Sequence, residues 1–247
     1  MAVSDREIIV CRDVADLNRR AADYFTSLAE EVTARSARFT VAVSGGSTPK
    51  PVHALLASDG YRERIPWPKV HLFWGDERCV PPDHPESNYR MVSESLLAKV
   101  KIPKENVHRM QGEKEPAVAA LEYAAILNEF FHLPAGSLPH FDLIFLGIGE
   151  DGHTASLFPE SGALEATDAL VMASYVDKLK AHRLTLTLPV LNAAKQIVFL
   201  VAGRSKAAIV KQVLKTKGAS GLPAARVRPS DGRLLWLVTA DAAAELE

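Results

Sequence analysis

Residues 141–149 read FDLIFLGIG, the most apolar short run in the chain. Apolar side chains at successive rather than alternate positions suit a strand buried on both faces, and such strands belong to parallel sheets covered by helices on either side. The run predicts a strand over 141–146, and β-branched or aromatic runs predict others over 7–10, 39–43, 70–74, 183–188, 197–201 and 234–238. Longer amphipathic stretches alternate with them. Asp13 is a good N-cap for a first helix, on which Leu17, Ala21, Tyr24, Leu28 and Val32 share one side. A second helix is predicted over 117–131, ended by LPAGSLP, and a third over about 205–215. Strands alternating with helices specify an α/β fold built on a mostly parallel, doubly wound sheet. No repeat, low-complexity tract or linker interrupts the pattern, so 1–247 is expected to be one domain, with the GASGLP stretch at 218–223 a surface loop.

Composition excludes several partners. Lysine plus arginine (29) nearly cancels aspartate plus glutamate (30), so the overall charge draws the chain to neither nucleic acid nor an anionic membrane. An anion must then be held by a local site. Cys11 and Cys79 are too few for a disulfide framework and fit a reducing compartment, which makes the cytoplasm the expected setting. The start, MAVSDREIIVCRD, is acidic where a signal peptide would be basic, and no stretch approaches the roughly 18 apolar residues of a membrane span.

The first candidate site is the turn Ser44-Gly45-Gly46-Ser47-Thr48, between a predicted strand and a helix opened by Pro49. Glycines let the backbone expose its N–H groups, the hydroxyls add donors, and the helix N-terminus adds partial positive charge: the makings of a phosphate site. It matches neither GxxxxGK[ST] nor, at this turn, GxGxxG, so nucleotide binding is not the reading. Alone, the turn is equally a capped bend with glycine for positive φ.

Beyond the strand at 70–74 comes Gly75-Asp76-Glu77-Arg78 and a proline-rich loop before a helix near Glu86. Asp76 suits a sugar hydroxyl or the attacking water, and Arg78 suits a phosphate or a developing oxyanion. In isolation a D-E-R triplet reads as a solvated ion cluster, and Asn88 and Arg90 as ordinary first-turn helix residues. Cys79 reads as a structural thiol.

After the run at 141–146 comes GIGEDGHTASLFP, where Asp151 precedes His153 by two residues. Imidazole, with an unperturbed pKa of about 6.5, is the side chain best suited to general-base work near neutrality, and a carboxylate fixes its tautomer. A lone loop histidine is more often a surface residue; the glycine-flanked D-G-H after a buried strand weighs against that here. Finally, Arg183 opens a predicted strand and Lys206 lies in the first turn of a helix, where a cation opposes the helix dipole unless an anion binds. A solvated lysine is the alternative.

Taken together, SGGSTP, DERCVPPDHPESNY, GIGEDGHTASLFP and GRSKA, in this order over nearly the whole chain, resemble the 6-phosphogluconolactonase family. The resemblance implies an α/β/α sandwich related to glucosamine-6-phosphate deaminases and ribose-5-phosphate isomerases, and hydrolysis of a phosphorylated sugar δ-lactone in the pentose phosphate pathway. It implies His153 as general base, Asp151 as its support, Asp76 and Arg78 as substrate contacts, and the 44–48 turn with Arg183 and Lys206 as phosphate ligands. The substrate is a small molecule, no metal or organic cofactor is expected, and the chain should act as a monomer or weak homo-oligomer. Metal-ligand spacing and GxSxG are both missing. Two rivals stand beside this reading: an amino-sugar-phosphate deaminase or isomerase, which tends to carry D-E-Y and F-N-E-P where this chain has Arg78 and S-L-F-P, and a non-catalytic sugar-phosphate sensor.

Overall fold

The apolar run becomes the strand Leu143–Leu146, every residue of it buried, at the centre of the molecule. The computed structural model describes residues 6–159, 161–215 and 221–246. In chain order the strands are β1 (Arg6–Cys11), β2 (Phe39–Val43), β3 (Val70–Trp74), β4 (Asp76–Arg78), β5 (Val107–His108), β6 (Leu143–Leu146), β7 (Val171–Val176), β8 (Ala181–Leu186), β9 (Gln196–Val201) and β10 (Arg233–Thr239). The helices are α1 (Val14–Arg35), α2 (Pro49–Leu56), α3 (Asp59–Arg62), α4 (Asn88–Ser95), α5 (Pro116–Phe131), α6 (Leu188–Asn192), α7 (Ala207–Lys215) and α8 (Pro223–Arg226).

The main sheet runs β1-β10-β9-β6-β2-β3-β5, with each neighbouring pair parallel. From β2 the chain winds outward through β3 and β5, then returns to β6 on β2's other side and winds outward again through β9 and β10. The direction reverses between β2 and β6, and that switch point is where an open α/β sheet leaves a crevice beyond its strand ends. β2 and β6 are buried throughout because helices cover both faces. Phe199 and Trp236 stack at 3.9 Å within the core, and Phe25 meets Phe39 edge-on at 5.4 Å. Each such side chain contributes about 1.5–3 kcal/mol by leaving water.

Asp13 caps α1 as expected, its carboxylate accepting from Asp16 N–H at 2.8 Å. The buried stripe is rotated from the predicted one, since Ala22, Phe25 and Ala29 sit fully inside while Tyr24 and Leu28 are only half-buried at its flank. The predicted strand at 183–188 needs a larger correction. It belongs to a second, antiparallel sheet ordered β4-β8-β7, and its last residue, Leu188, starts α6. Gly75 makes the branch: its N–H donates to Val43 O at 3.0 Å in the main sheet while its carbonyl accepts from Leu186 N–H at 2.9 Å in the small one. The helix expected near Glu86 begins at Asn88, with Ser87 as its cap. Of the 218–223 loop, residues 218–220 lie outside the described residues, and Pro223 opens α8. Among the described residues no helix is long and apolar enough to cross a membrane.

Candidate active site

The four motif segments follow β2, β3, β6 and β9, four adjacent parallel strands, so all four leave the sheet at the same rim. At the first, Ser44 Oγ donates to Phe145 O at 2.6 Å and ties the end of β2 to β6. Its hydroxyl proton is thus committed to the fold, a structural duty the phosphate-binding expectation did not include. Gly46 has φ +105°, which only glycine adopts freely, and a Cβ on Gly45 would stand 1.7 Å from Asn88 Oδ1. Thr48 leads into α2 without making a side-chain cap; Pro49 and Pro51 carry no N–H and Lys50 N–H donates to Gly46 O at 3.3 Å, so α2 adds no open first-turn amide beside the turn.

The second segment is not a solvated ion cluster. Glu77 is 2% exposed, and its carboxylate accepts the backbone N–H groups of Arg78, Asn88 and Tyr89, each at 2.7 Å, with Ser87 Oγ–H at 3.3 Å. Burial pushes its pKa up against the pull of these amides. Glu77 therefore anchors the N-terminus of α4 and so places Asn88. Asp76 is 8% exposed, with Ser156 Oγ donating to Oδ2 at 2.7 Å and Asn88 Nδ2 to Oδ1 at 3.3 Å. Arg78 and Arg183 are register partners across β4 and β8, and burial and then the charge of Arg78 depress the pKa of Arg183. Among the described residues, their guanidinium groups donate to carbonyls, of Glu86 and His182 respectively. Like charges directly opposite each other destabilise a ladder, and a bound anion would relieve them. Burial lifts the Cys79 thiol to about 11, which keeps it protonated and inert.

In the third segment Gly149 N–H donates to His153 O at 2.9 Å, closing a tight turn in which Gly152 has φ +80°. His153 Nδ1 lies 2.5 Å from Asp151 Oδ1. The pair rests on the backbone of Gly149, where a Cβ would come 2.1 Å from His153 Nδ1 and 2.6 Å from Asp151 Oδ1. Phe158 stacks on the imidazole at 4.2 Å. Burial raises the pKa of Asp151, but hydrogen bonds and charge from His153, with a further bond from Lys178, outweigh it and hold the carboxyl at about 2. An ionised Asp151 accepts a hydrogen bond from Nδ1–H and leaves Nε2 as the ring's acceptor. The loop also spells GxGxxG from Gly147 to Gly152, yet it continues into the Thr154–Leu157 bridge and not into the helix that a dinucleotide site requires.

These segments enclose an open cleft of about 750 Å³, its mouth included. Ser44, Gly45, Gly46, Ser47 and Thr48 form one wall; Asp76, Arg78, His153 and Lys206 face the same space. Asp151 stands behind the imidazole. Arg183 is brought beside Arg78 but is not part of the lining. Lys206 ends the 3₁₀ turn Arg204–Lys206 before α7, with Glu150 at 4.0 Å. Sequence reasoning missed Asn88 as a lining residue, Ser156 and Glu77 as supports, and Ala155, which lines the cleft at φ +47°. The S-N pair at the head of a helix was the available signal for Asn88. Among the described residues no three His, Cys, Asp or Glu side chains gather as metal ligands.

Comparison with known proteins gives a consistent picture. A 6-phosphogluconolactonase of Nostoc sp. is 39% identical over 242 residues, spanning 98% of each chain. The crystal structure of a 6-phosphogluconolactonase from Thermotoga maritima superposes with a TM-score of 0.81 at 30% identity, over 95% of this chain and all of that one. A monomeric glucosamine-6-phosphate deaminase shares the fold, with a TM-score of 0.82 over 97% of this chain and 99% of its own, but only 18% of its residues are identical. The family described as glucosamine-6-phosphate isomerases/6-phosphogluconolactonase matches residues 12–236, nearly the full chain. The chain belongs to that family.

Proposed function

We propose that this chain hydrolyses 6-phospho-D-glucono-1,5-lactone to 6-phosphogluconate, with water activated by His153. The observation that carries the reading is the 2.5 Å contact between His153 and Asp151 at the wall of the cleft that the glycine-serine turn also lines. One end of the cleft suits a phosphate, through the glycine-serine turn and Lys206; the other offers an imidazole base. Full-length similarity to proteins named 6-phosphogluconolactonase supports the same substrate.

In the proposed route the phosphate is gripped first, which sets the lactone carbonyl against the imidazole. Nε2 takes a proton as water attacks C1, and Asp151 steadies the imidazolium. The tetrahedral oxyanion is stabilised by Arg78 or a backbone N–H. Collapse breaks the bond from C1 to the ring oxygen, and the imidazolium returns its proton to that oxygen. Asp76, clamped by Ser156 and Asn88, holds a sugar hydroxyl or the attacking water. Arg183 reinforces the positive potential beside Arg78. Neither metal nor organic cofactor takes part. A single catalytic unit over 1–247, acting as a monomer or weak homo-oligomer, is part of the same proposal, and the free thiols of Cys11 and Cys79 support a cytoplasmic setting. The test is a coupled assay on freshly prepared lactone, corrected for spontaneous opening. Enzyme-dependent opening supports the reading; release of ammonia from glucosamine 6-phosphate without lactone opening, or binding of 6-phosphogluconate with no turnover, contradicts it.

A further inference from the structure

Lys178 reaches the histidine loop from a separate element. It sits in the 3₁₀ turn Asp177–Leu179 that joins β7 to β8, and its Nζ stands 3.2 Å from Asp151 Oδ2, the oxygen His153 does not use. The carboxylate is therefore held at both ends, by imidazole on Oδ1 and ammonium on Oδ2. Lys178 is 73% exposed and is not part of the cleft lining, so neither packing nor contact with a ligand accounts for its placement.

We propose that Lys178 is a positioning residue that acts on His153 through Asp151, fixing the carboxylate's orientation and biasing the imidazole toward its neutral, proton-accepting form. The inference rests on reading His153 as the general base. A carboxylate alone beside a histidine favours the imidazolium; a cation on the carboxylate's far oxygen offsets part of that pull. Other charges face the pair as well: Lys206 from the start of α7, Glu150 beside it, and Asp76 and Arg78 across the cleft on β4. Phe158 covers one ring face with an uncharged surface. Among the described residues, Lys178 is the lysine within ion-pair distance of the carboxylate that holds the imidazole. Its exposure means that solvent and salt screen its effect, so the expected change is a modest shift, not a loss of activity.

The test is the pH profile of kcat/KM for the lactone in wild type, K178M, K178R and K178E, alongside an NMR titration of the His153 imidazole. In K178M the acidic limb and the imidazole titration should both move up by about 0.2–0.5 pH unit, with KM unchanged. K178R should restore the wild-type profile, K178E should move it further, and added salt should shift wild type toward K178M. A K178M profile that superimposes on wild type, or a raised KM with an unmoved limb, overturns the proposal. If wild type opens no lactone, the functional reading fails on its own account. The NMR titration then decides for Lys178, and an unchanged His153 titration in K178M overturns it.

Discussion

Gly149 shows how closely the chemistry depends on a missing side chain. A Cβ there would lie 2.1 Å from His153 Nδ1, so Gly149→Ala must displace the imidazole or the carboxylate beneath it. Lactone opening by that variant should fall about 10²-fold or more, since proton transfer needs hydrogen-bond reach, while circular dichroism stays native. Asp151 has a different signature. Its folded pKa of about 2 lies below the unfolded carboxyl value, so its pairing adds stability above about pH 4 that is lost as pH falls toward 2. Urea melts of Asp151→Asn should therefore fall less steeply between pH 4 and 2 than those of wild type. At pH 7 its activity should drop by roughly 10²–10⁴-fold, because the amide no longer selects the Nδ1–H tautomer. Of the residues around the imidazole, Asp151 and His153 were legible from their spacing after a buried strand. Lys178 was not, because nothing local links a hairpin turn to a loop 27 positions earlier.

Among the elements, α4 depends on Glu77 more than on its own eight residues. Glu77→Ala would leave three N–H groups without their acceptor, that of Asn88 buried and those of Arg78 and Tyr89 partly so, at about 1–3 kcal/mol for each that water cannot reach. Asn88 would then be free to leave Gly45 and Asp76. Thermal melts should show a loss of about 1–3 kcal/mol or more, and KM should rise while kcat falls, since the cleft wall and Asp76 loosen together. Elements with a strong internal pattern were readable: β2 and β3 fall at 39–43 and 70–74 as predicted, and Asp13 caps α1. β4, β5 and β7 were not. β4 and β5 are three and two residues long, and β7 mixes buried and exposed positions, so their pairing is decided by tertiary partners and not by periodicity. The same cause moved 183–188 out of the parallel sheet. An apolar run states that a strand is buried, not which sheet it joins.

For the molecule as a whole, strand order is what turns four unremarkable loops into one site. β3, β2, β6 and β9 are neighbours, so segments that begin at Ser44, Asp76, Gly147 and Arg204 emerge side by side. The α/β class and the rim location were readable from alternation and from the position of each motif after a strand. The second sheet was not, although it carries Asp76 and Arg78 to the cleft and sets Arg183 beside Arg78. Because the deaminase shares this frame at 18% identity, the frame alone does not choose between lactone and amino sugar. The choice falls to the imidazole and its surroundings. The most direct measurement compares wild type with His153→Ala on fresh 6-phosphogluconolactone, after subtracting spontaneous opening and with both proteins shown to be folded. Rapid opening by wild type and a fall of about 10²–10⁴-fold in His153→Ala are expected; a near-wild-type rate without the imidazole would remove His153 from the role of base.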